Sequence, residues 1–214
     1  MKVLIASHNK GKIIEFKKLL NNFHMEFYTI DDFGEIAEPN ESGKTLMENA
    51  LIKAKYYYEH FNIPVIADDT GLFVKGLNNE PGIYTSRYSG LGDQGNREKV
   101  LNNLKTADRS AYFETALVFY DGKNLLTSFG RLDGTISTEA RGTLGFGYDS
   151  IFIMDGFDKT NGELGMEIKN QHSHRYKAIK NLYFKLMFYL NRTTVDEYLT
   201  KLCKEVYPAE EYLG

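Results

Sequence analysis

Four short segments carry side chains whose types and spacing suit chemistry on a charged substrate. Ser7-His8-Asn9-Lys10-Gly11-Lys12 lies between the apolar run Val3 to Ala6 and a helical pattern. A helix N-terminus that follows a turn presents free backbone N–H groups and a positive dipole end to an anion. Ser7 and Asn9 add side-chain donors, and Lys12 adds a charge. A capped turn with solvated lysines fits the same residues. Asp68-Asp69-Thr70-Gly71 follows the apolar residues Pro64 to Ala67. Adjacent carboxylates at a strand's end are costly unless a cation or donors satisfy them. The hard-cation reading is magnesium (Mg2+), held by one or two carboxylates plus substrate phosphates. Glu41, in the acidic stretch 38–41, is the candidate second ligand. An Asp capping a turn is the plain alternative.

The third segment is Gly142-Thr143-Leu144-Gly145-Phe146-Gly147-Tyr148-Asp149. Its glycines let backbone approach a ligand, its aromatics offer faces on which a base can stack, and Asp149 can accept from a base N–H. A glycine-rich hinge with core aromatics would read the same. The fourth is Lys169 with Ser173-His174-Arg175, just before a helical pattern. It is rich in donors and poor in acceptors, which suits phosphate or a base carbonyl; a basic helix entry is the alternative. Together the four supply two anion-holding donor sets, a carboxylate metal site and an aromatic slot. That inventory fits a nucleoside triphosphate with magnesium.

Other patterns carry less. Gly90-Leu91-Gly92-Asp93-Gln94-Gly95 matches a dinucleotide fingerprint, but the residues before it, Tyr84 to Ser89, are not a buried strand, and the motif needs one. A phosphate loop of the G-x-x-x-x-G-K-[ST] type fails at both ends, where Ala6 and Ile13 stand. His172 and His174 lie two apart with no third metal ligand nearby. No Ser-His-Asp pattern with a nucleophile elbow is present.

The elements that must position these groups follow from periodicity. Strands are expected at Val3 to Ala6, Met25 to Ile30, Pro64 to Ala67, Ala111 to Tyr120, Leu125 to Phe129 and Ile151 to Ile153. Helical faces run through Ile13, Phe16, Leu20 and Phe23, through Leu46, Ala50, Ala54, Tyr57 and Phe61, and through Ile179, Leu182, Leu186 and Tyr189. A helix is expected near 94–104, and residues 76–95 otherwise read as loop. Thr45 with Glu48, and Thr194 with Glu197 before a last helix, have capping-box spacing. The order implies an α/β fold, and the Asp121-Gly122 hairpin signal makes its sheet mixed.

The 214 residues suit one domain, or one domain with two lobes. With 26 Lys and Arg against 29 Asp and Glu, the formal charge of -3 gives no support to a nucleic-acid-coating protein. Cys203 is the one cysteine, which excludes an internal disulfide and suits a reducing, cytoplasmic compartment. No run of about 18 apolar residues marks a membrane span.

At these residues the chain resembles the inosine triphosphate pyrophosphatase family, in its bacterial branch. The resemblance runs from Val3 to about Leu190. It is carried by Ser7 to Lys12, Asp68-Asp69-Thr70-Gly71-Leu72, Pro81-Gly82-Ile83-Tyr84-Thr85-Ser86-Arg87-Tyr88, Gly145 to Asp149 and Ser173-His174-Arg175, in the family's order. It implies an elongated two-lobed fold, with a long mixed sheet flanked by helices around a central substrate cleft. It implies a homodimer that hydrolyses ITP, dITP and XTP to the monophosphate and pyrophosphate. Ser7, His8, Asn9 and Lys12 would hold the triphosphate, and Glu41 and Asp69 the magnesium. Asp69 would also activate water, and Thr70 would touch the substrate. Phe146, Gly147, Tyr148, Asp149 and Lys169 would form the base pocket, with His174 and Arg175 at the purine 6-oxygen. The rivals are a Maf-type pyrophosphatase of other base specificity and a non-catalytic nucleotide sensor.

Overall fold

Three long strands form the frame, and their apolar positions decide where the helices sit. A computed structural model describes residues 1–20, 25–105 and 108–191 of the chain. Among them a seven-stranded mixed sheet is built from β1 (Lys2–Ile5), β2 (Glu26–Thr29), β3 (Val65–Val74), β4 (Glu80–Gly82), β5 (Ser110–Tyr120), β6 (Leu125–Ile136) and β7 (Phe152–Met154). The strand order is β2-β1-β3-β5-β6-β7, with β4 also on β3. β1 is parallel to β2 and β3; the other pairings are antiparallel. The helices are α1 (Lys10–Leu19), α2 (Leu46–Phe61), α3 (Gly92–Asn103), α4 (Asn161–Leu164), α5 (Met166–His172) and α6 (His174–Asn191).

The core divides along the sheet. At one end, α1 and α6 cover one face through Phe16, Ile179, Leu182 and Leu186, packed on Val3, Ile5, Ile66 and Leu117. On the opposite face, α2 buries Ala50, Ala54 and Tyr57 against Leu4, Val65, Ala67 and Val118. At the other end, Val100 and Leu104 pack on Leu72, Val74, Phe113, Ile136 and Phe152. Each large apolar side chain fully buried in this way contributes about 1.5–3 kcal/mol.

The gap between the two ends of the sheet positions the site. β5 pairs with all of β3, so β3 has one other edge, which β1 and β4 share. β1 reaches only Val65 and Ile66, and β4 begins at Leu72. Residues 67–71 therefore lack a sheet neighbour on that edge, and a cleft opens there.

Two expectations change. Asp68-Asp69-Thr70-Gly71 is not a strand end: it lies in the middle of β3. The carboxylates are tolerated because each has buried partners. β6 continues past Phe129 to Ile136, through Gly130 and Gly134. Gly130 is not a breaker here. A Cβ at that position would stand 2.0 Å from the His174 carbonyl oxygen and 2.4 Å from the Ala178 nitrogen. Its absence lets α6 rest on the strand backbone, where Ser128 Oγ donates to the Ala178 carbonyl at 2.8 Å.

Smaller differences concern segment ends. The stretch 76–95 contains β4, with a cis Glu80–Pro81 bond, 3-10 turns at Lys75–Leu77 and Thr85–Arg87, and the start of α3. The residues before Gly90 thus form a turn, which bears out the rejection of a dinucleotide fingerprint. Thr45 caps α2 through the Glu48 N–H, but the Glu48 carboxylate accepts from Lys44 N rather than Thr45 N. Phe23, Cys203, Thr194, Glu197 and the expected last helix lie outside the described residues. No helix among the described residues is long and apolar enough to cross a membrane.

Candidate active site

Side chains alternate along a strand, so Asp68 and Asp69 face opposite sides of β3 and have different neighbours. Asp68 is buried beneath α1 and α6. Lys12 Nζ lies 2.9 Å and Arg175 Nε 3.5 Å from Asp68 Oδ2. Thr70, two residues on and so on the same side, donates to that oxygen at 3.1 Å. Thr70 Oγ also meets Thr115 Oγ at 2.7 Å and accepts from Arg175 at 3.3 Å. Burial alone would raise the Asp68 carboxyl. The Lys12, Arg175 and Lys53 charges outweigh it and hold Asp68 well below the usual carboxylate range. Asp68 is thus a fixed anion that orients two cations.

Asp69 faces α2 and the cleft. Asn49 Nδ2 donates to its Oδ2 at 3.2 Å, and Lys53 Nζ lies 3.4 Å from its Oδ1. Asn49 and Lys53 stand four apart and so share a helix face. Lys53 is also 3.2 Å from Glu41 Oε1, and Arg87 is 3.7 Å from Glu41 Oε2. Asn49 Oδ1 accepts from Gly43 N at 2.9 Å, which ties the Glu41 loop to α2. Burial first, then the Glu41 charge, raise the Asp69 carboxyl above its ordinary value, although Lys53 and Lys12 oppose the shift. A raised carboxyl suits a proton acceptor.

The same pair fits a hard cation. Glu41 and Asp69 converge on one ammonium group, and their ligands are all oxygen, as magnesium requires. Asp68 is committed to Lys12 and Arg175. No cluster of three metal-ligating side chains occurs among the described residues. The remaining ligands would be water and substrate oxygens.

Across the cleft lies a buried charged wall. Asp149 Oδ2 accepts from Lys169 Nζ at 2.6 Å and from Phe146 N at 2.8 Å, while Asn161 donates to Oδ1 at 3.3 Å. Both Asp149 oxygens thus help to shape the Phe146 loop, and Asp149 also lines the cleft. Lys169 Nζ sits 4.3 Å from the Phe146 ring centroid. The Tyr148 ring is buried, with its hydroxyl donating to the Thr85 carbonyl at 2.8 Å. The His174 ring stacks on Phe113, with centroids 4.7 Å apart and planes at 17°. Its Nδ1 is buried and has no protein partner. With Asn9, Lys12, Glu41, Lys53, Asp69 and Thr70 on the opposite side, these groups line a single cleft of about 180 Å³.

Ser7 and His8 stand apart from it. Ser7 Oγ accepts from Asn9 N at 3.2 Å and shapes the turn, and Asn9 Oδ1 caps α1 by accepting from Lys12 N at 3.1 Å. His8 turns to Asp31, 3.2 Å away, in a separate concavity beside Gly34 to Ala37. His172, also set aside as a ligand, is exposed and meets Phe157 edge-on.

Two site residues escape a reading of the sequence. Lys53 lies on a helix whose apolar face is conspicuous; its signal is the spacing from Asn49. Glu15 is 1% exposed and pairs with Arg175, with Lys169 Nζ 3.7 Å away. Nothing local marks it, because Arg175 is 160 residues distant.

Burial, then the Arg175 and Lys169 charges, push the His174 imidazole well below its ordinary value of 6.5. The unfolded chain therefore takes up this proton first as pH falls. The stability contribution is fully present above the unfolded value and is lost as pH drops through and below it. The free energy of unfolding should fall between pH 7 and 5, by up to about 1.4 kcal/mol per pH unit from this group, and the melting temperature should fall with it. His174→Gln should flatten that slope; an unchanged slope would show that the imidazole charges in place.

Comparison with known proteins places this geometry. A sequence model of the Ham1 family matches residues 3–185. A protein from Desulfotalea psychrophila named dITP/XTP pyrophosphatase is 44% identical over 184 residues, covering 84% of this chain and 82% of its own. A Bacillus subtilis protein of the same name is 43% identical over 185 residues, covering 84% of this chain and 93% of its own. The Staphylococcus aureus Ham1 structure has a TM-score of 0.79 at 38% identity, and a Coxiella burnetii HAM1 structure 0.81 at 34%. Each covers 87% of this chain and 98% of its own. Both match the α/β architecture of a mixed sheet flanked by helices. With likeness of this extent in both sequence and fold, the chain belongs to the Ham1 family.

Proposed function

We propose that this protein hydrolyses nucleoside triphosphates of deaminated purines, ITP, dITP and XTP, to the monophosphate and pyrophosphate. The observation that carries the reading is one cleft with Asp69, Glu41 and Lys53 on one wall and a donor-rich slot, Lys169, His174 and Arg175, on the other. The relatives' name, dITP/XTP pyrophosphatase, supports the same nucleoside triphosphate pyrophosphatase activity. Asn9, Lys12 and the N-terminus of α1 would hold the phosphates, and Thr70 would contact them.

Glu41 and Asp69 would hold magnesium, which when bound supplies charge neutralisation at the phosphates. The Asp69 carboxylate orients a water and takes its proton. The water oxygen bonds to the α-phosphorus as the bond from that phosphorus to the α–β bridging oxygen breaks. The bridging oxygen leaves with pyrophosphate. Lys12 and Lys53 place positive charge where phosphate charge redistributes in the transition state.

Base choice follows from donors. A 6-oxo purine presents an acceptor to Arg175 and His174, whereas adenine presents an amine, which leaves buried donors unpaired. Such a mismatch discriminates strongly. Purified protein with magnesium should convert ITP and XTP to monophosphate and pyrophosphate, with little turnover of ATP. Orthophosphate release would place the cut elsewhere on the chain of phosphates. Tight binding without turnover would instead make the protein a sensor.

A further inference from the structure

Helix α3 packs beside the base loop, in the same core cluster as Tyr148, although its Gly90 to Gly95 entry is not a nucleotide fingerprint. Asp93 and Arg97 stand four apart on one helix face. Both engage Gly147. Asp93 Oδ2 accepts from Gly147 N at 3.0 Å, and Arg97 donates to the Gly147 carbonyl at 2.7 Å. The nitrogen belongs to the peptide plane shared with Phe146, and the carbonyl to the plane shared with Tyr148. One helix thus holds both planes that flank a single α-carbon.

That carbon needs holding. Gly147 has φ +59°, in the left-handed region, and apart from its two chain neighbours no atom lies within 4 Å of where a Cβ would be. Neither a side chain nor local packing restricts it, and glycine populates left- and right-handed conformations about equally. On one side Phe146 N is fixed by Asp149, and on the other the Tyr148 hydroxyl is fixed by Thr85. The Phe146 carbonyl, in the same plane as Gly147 N, also accepts from Asp149 N at 3.2 Å, so Gly147 is the joint between a loop-held plane and the Tyr148 side.

The helix is rigid enough to serve. Asn96, 1% exposed, accepts from Ser89 N and Oγ at 2.7 and 2.8 Å and donates to the Ser86 carbonyl at 3.0 Å. Val100 is buried in the core at that end of the sheet. Asp93, Thr85 and Ser86 themselves line the cleft.

We infer that Asp93 and Arg97 are positioning residues for base recognition: together they clasp Gly147 and fix the Phe146–Tyr148 wall of the slot. The inference rests on the reading of that slot as the purine site. The clasp acts on binding and not on the Asp69 chemistry. Losing one hydrogen bond to a charged group corresponds to about tenfold in binding.

The test is steady-state kinetics with ITP and ATP on the full chain. Arg97→Ala should raise KM for ITP about tenfold and lower the ITP-over-ATP preference by a similar factor. Its kcat should stay within about threefold and its pH–kcat profile should not move. Arg97→Lys keeps a donor and should recover part of the loss. Asp93→Ala, a change at an exposed position, should reproduce the Arg97→Ala pattern if that variant folds poorly, and Asp93→Asn, which keeps an acceptor oxygen, should be milder. A wild-type preference that survives Arg97→Ala and Asp93→Ala unchanged overturns the clasp while leaving the purine slot intact. A fall in kcat at constant KM also overturns it. A wild type with no preference for a 6-oxo base overturns the slot and the clasp together.

Discussion

Asp69→Asn should lower kcat by about 10³-fold and leave the protein folded. A positioned general base contributes about 10²–10⁴, and this carboxylate is also the proposed partner of the metal. The fold should not suffer, because the folded state holds the Asp69 carboxyl above its ordinary value. The folded protein binds that proton more tightly than the unfolded chain, so ionisation of Asp69 works against folding at neutral pH. The uncharged amide removes this cost while remaining able to meet Asn49 and Lys53. Thermal melts should show equal or higher stability beside the lost turnover. Near-normal turnover would remove Asp69 from the chemistry.

Asp68→Asn, one residue away, should do the reverse to stability. Here the folded state depresses the carboxyl, so the stability it contributes is present above the unfolded value of 3.8 and is lost as pH falls below it. Replacing the anion leaves Lys12 and Arg175 buried against a neutral amide. Breaking a buried pair from one side costs about 3–5 kcal/mol, a large share of the roughly 5–15 kcal/mol that holds a typical domain. Urea unfolding should show this loss as a lower midpoint with an unchanged slope. A variant as stable as the wild type would mean that Lys12 and Arg175 do not depend on Asp68.

The contrast between these neighbours shows where a sequence stops being readable. Two adjacent aspartates mark a site, but their division of labour depends on which face of β3 each takes. That required knowing that the strand runs through them. β1, β5, α2 and α6 were legible because their apolar periodicity is strong and local. The expected strand stops at Phe129, whereas β6 runs on through Gly130, whose role is set by a helix about 45 residues later, where His174 and Ala178 press on it.

The site followed the same rule. Lys12, Glu41, Asp69, Lys169, His174 and Arg175 were visible because chemistry-bearing types cluster in short segments, and the cleft does bring them together. Asp149 was visible as a site residue but not as a loop-shaping one, since its partners Lys169 and Asn161 come from later elements. Glu15 was invisible for the same reason. Ser7 and His8 were grouped with Lys12 by adjacency. The turn instead sends the His8 side chain to Asp31.

The proposed reaction turns on attack by water at the α-phosphorus. Hydrolysis of ITP in 18O-labelled water, followed by mass spectrometry of both products, tests it most directly. Attack at the α-phosphorus places the label in inosine monophosphate and leaves pyrophosphate unlabelled, which is the expected result. Label in pyrophosphate would mean that the β-phosphorus is attacked and would contradict it.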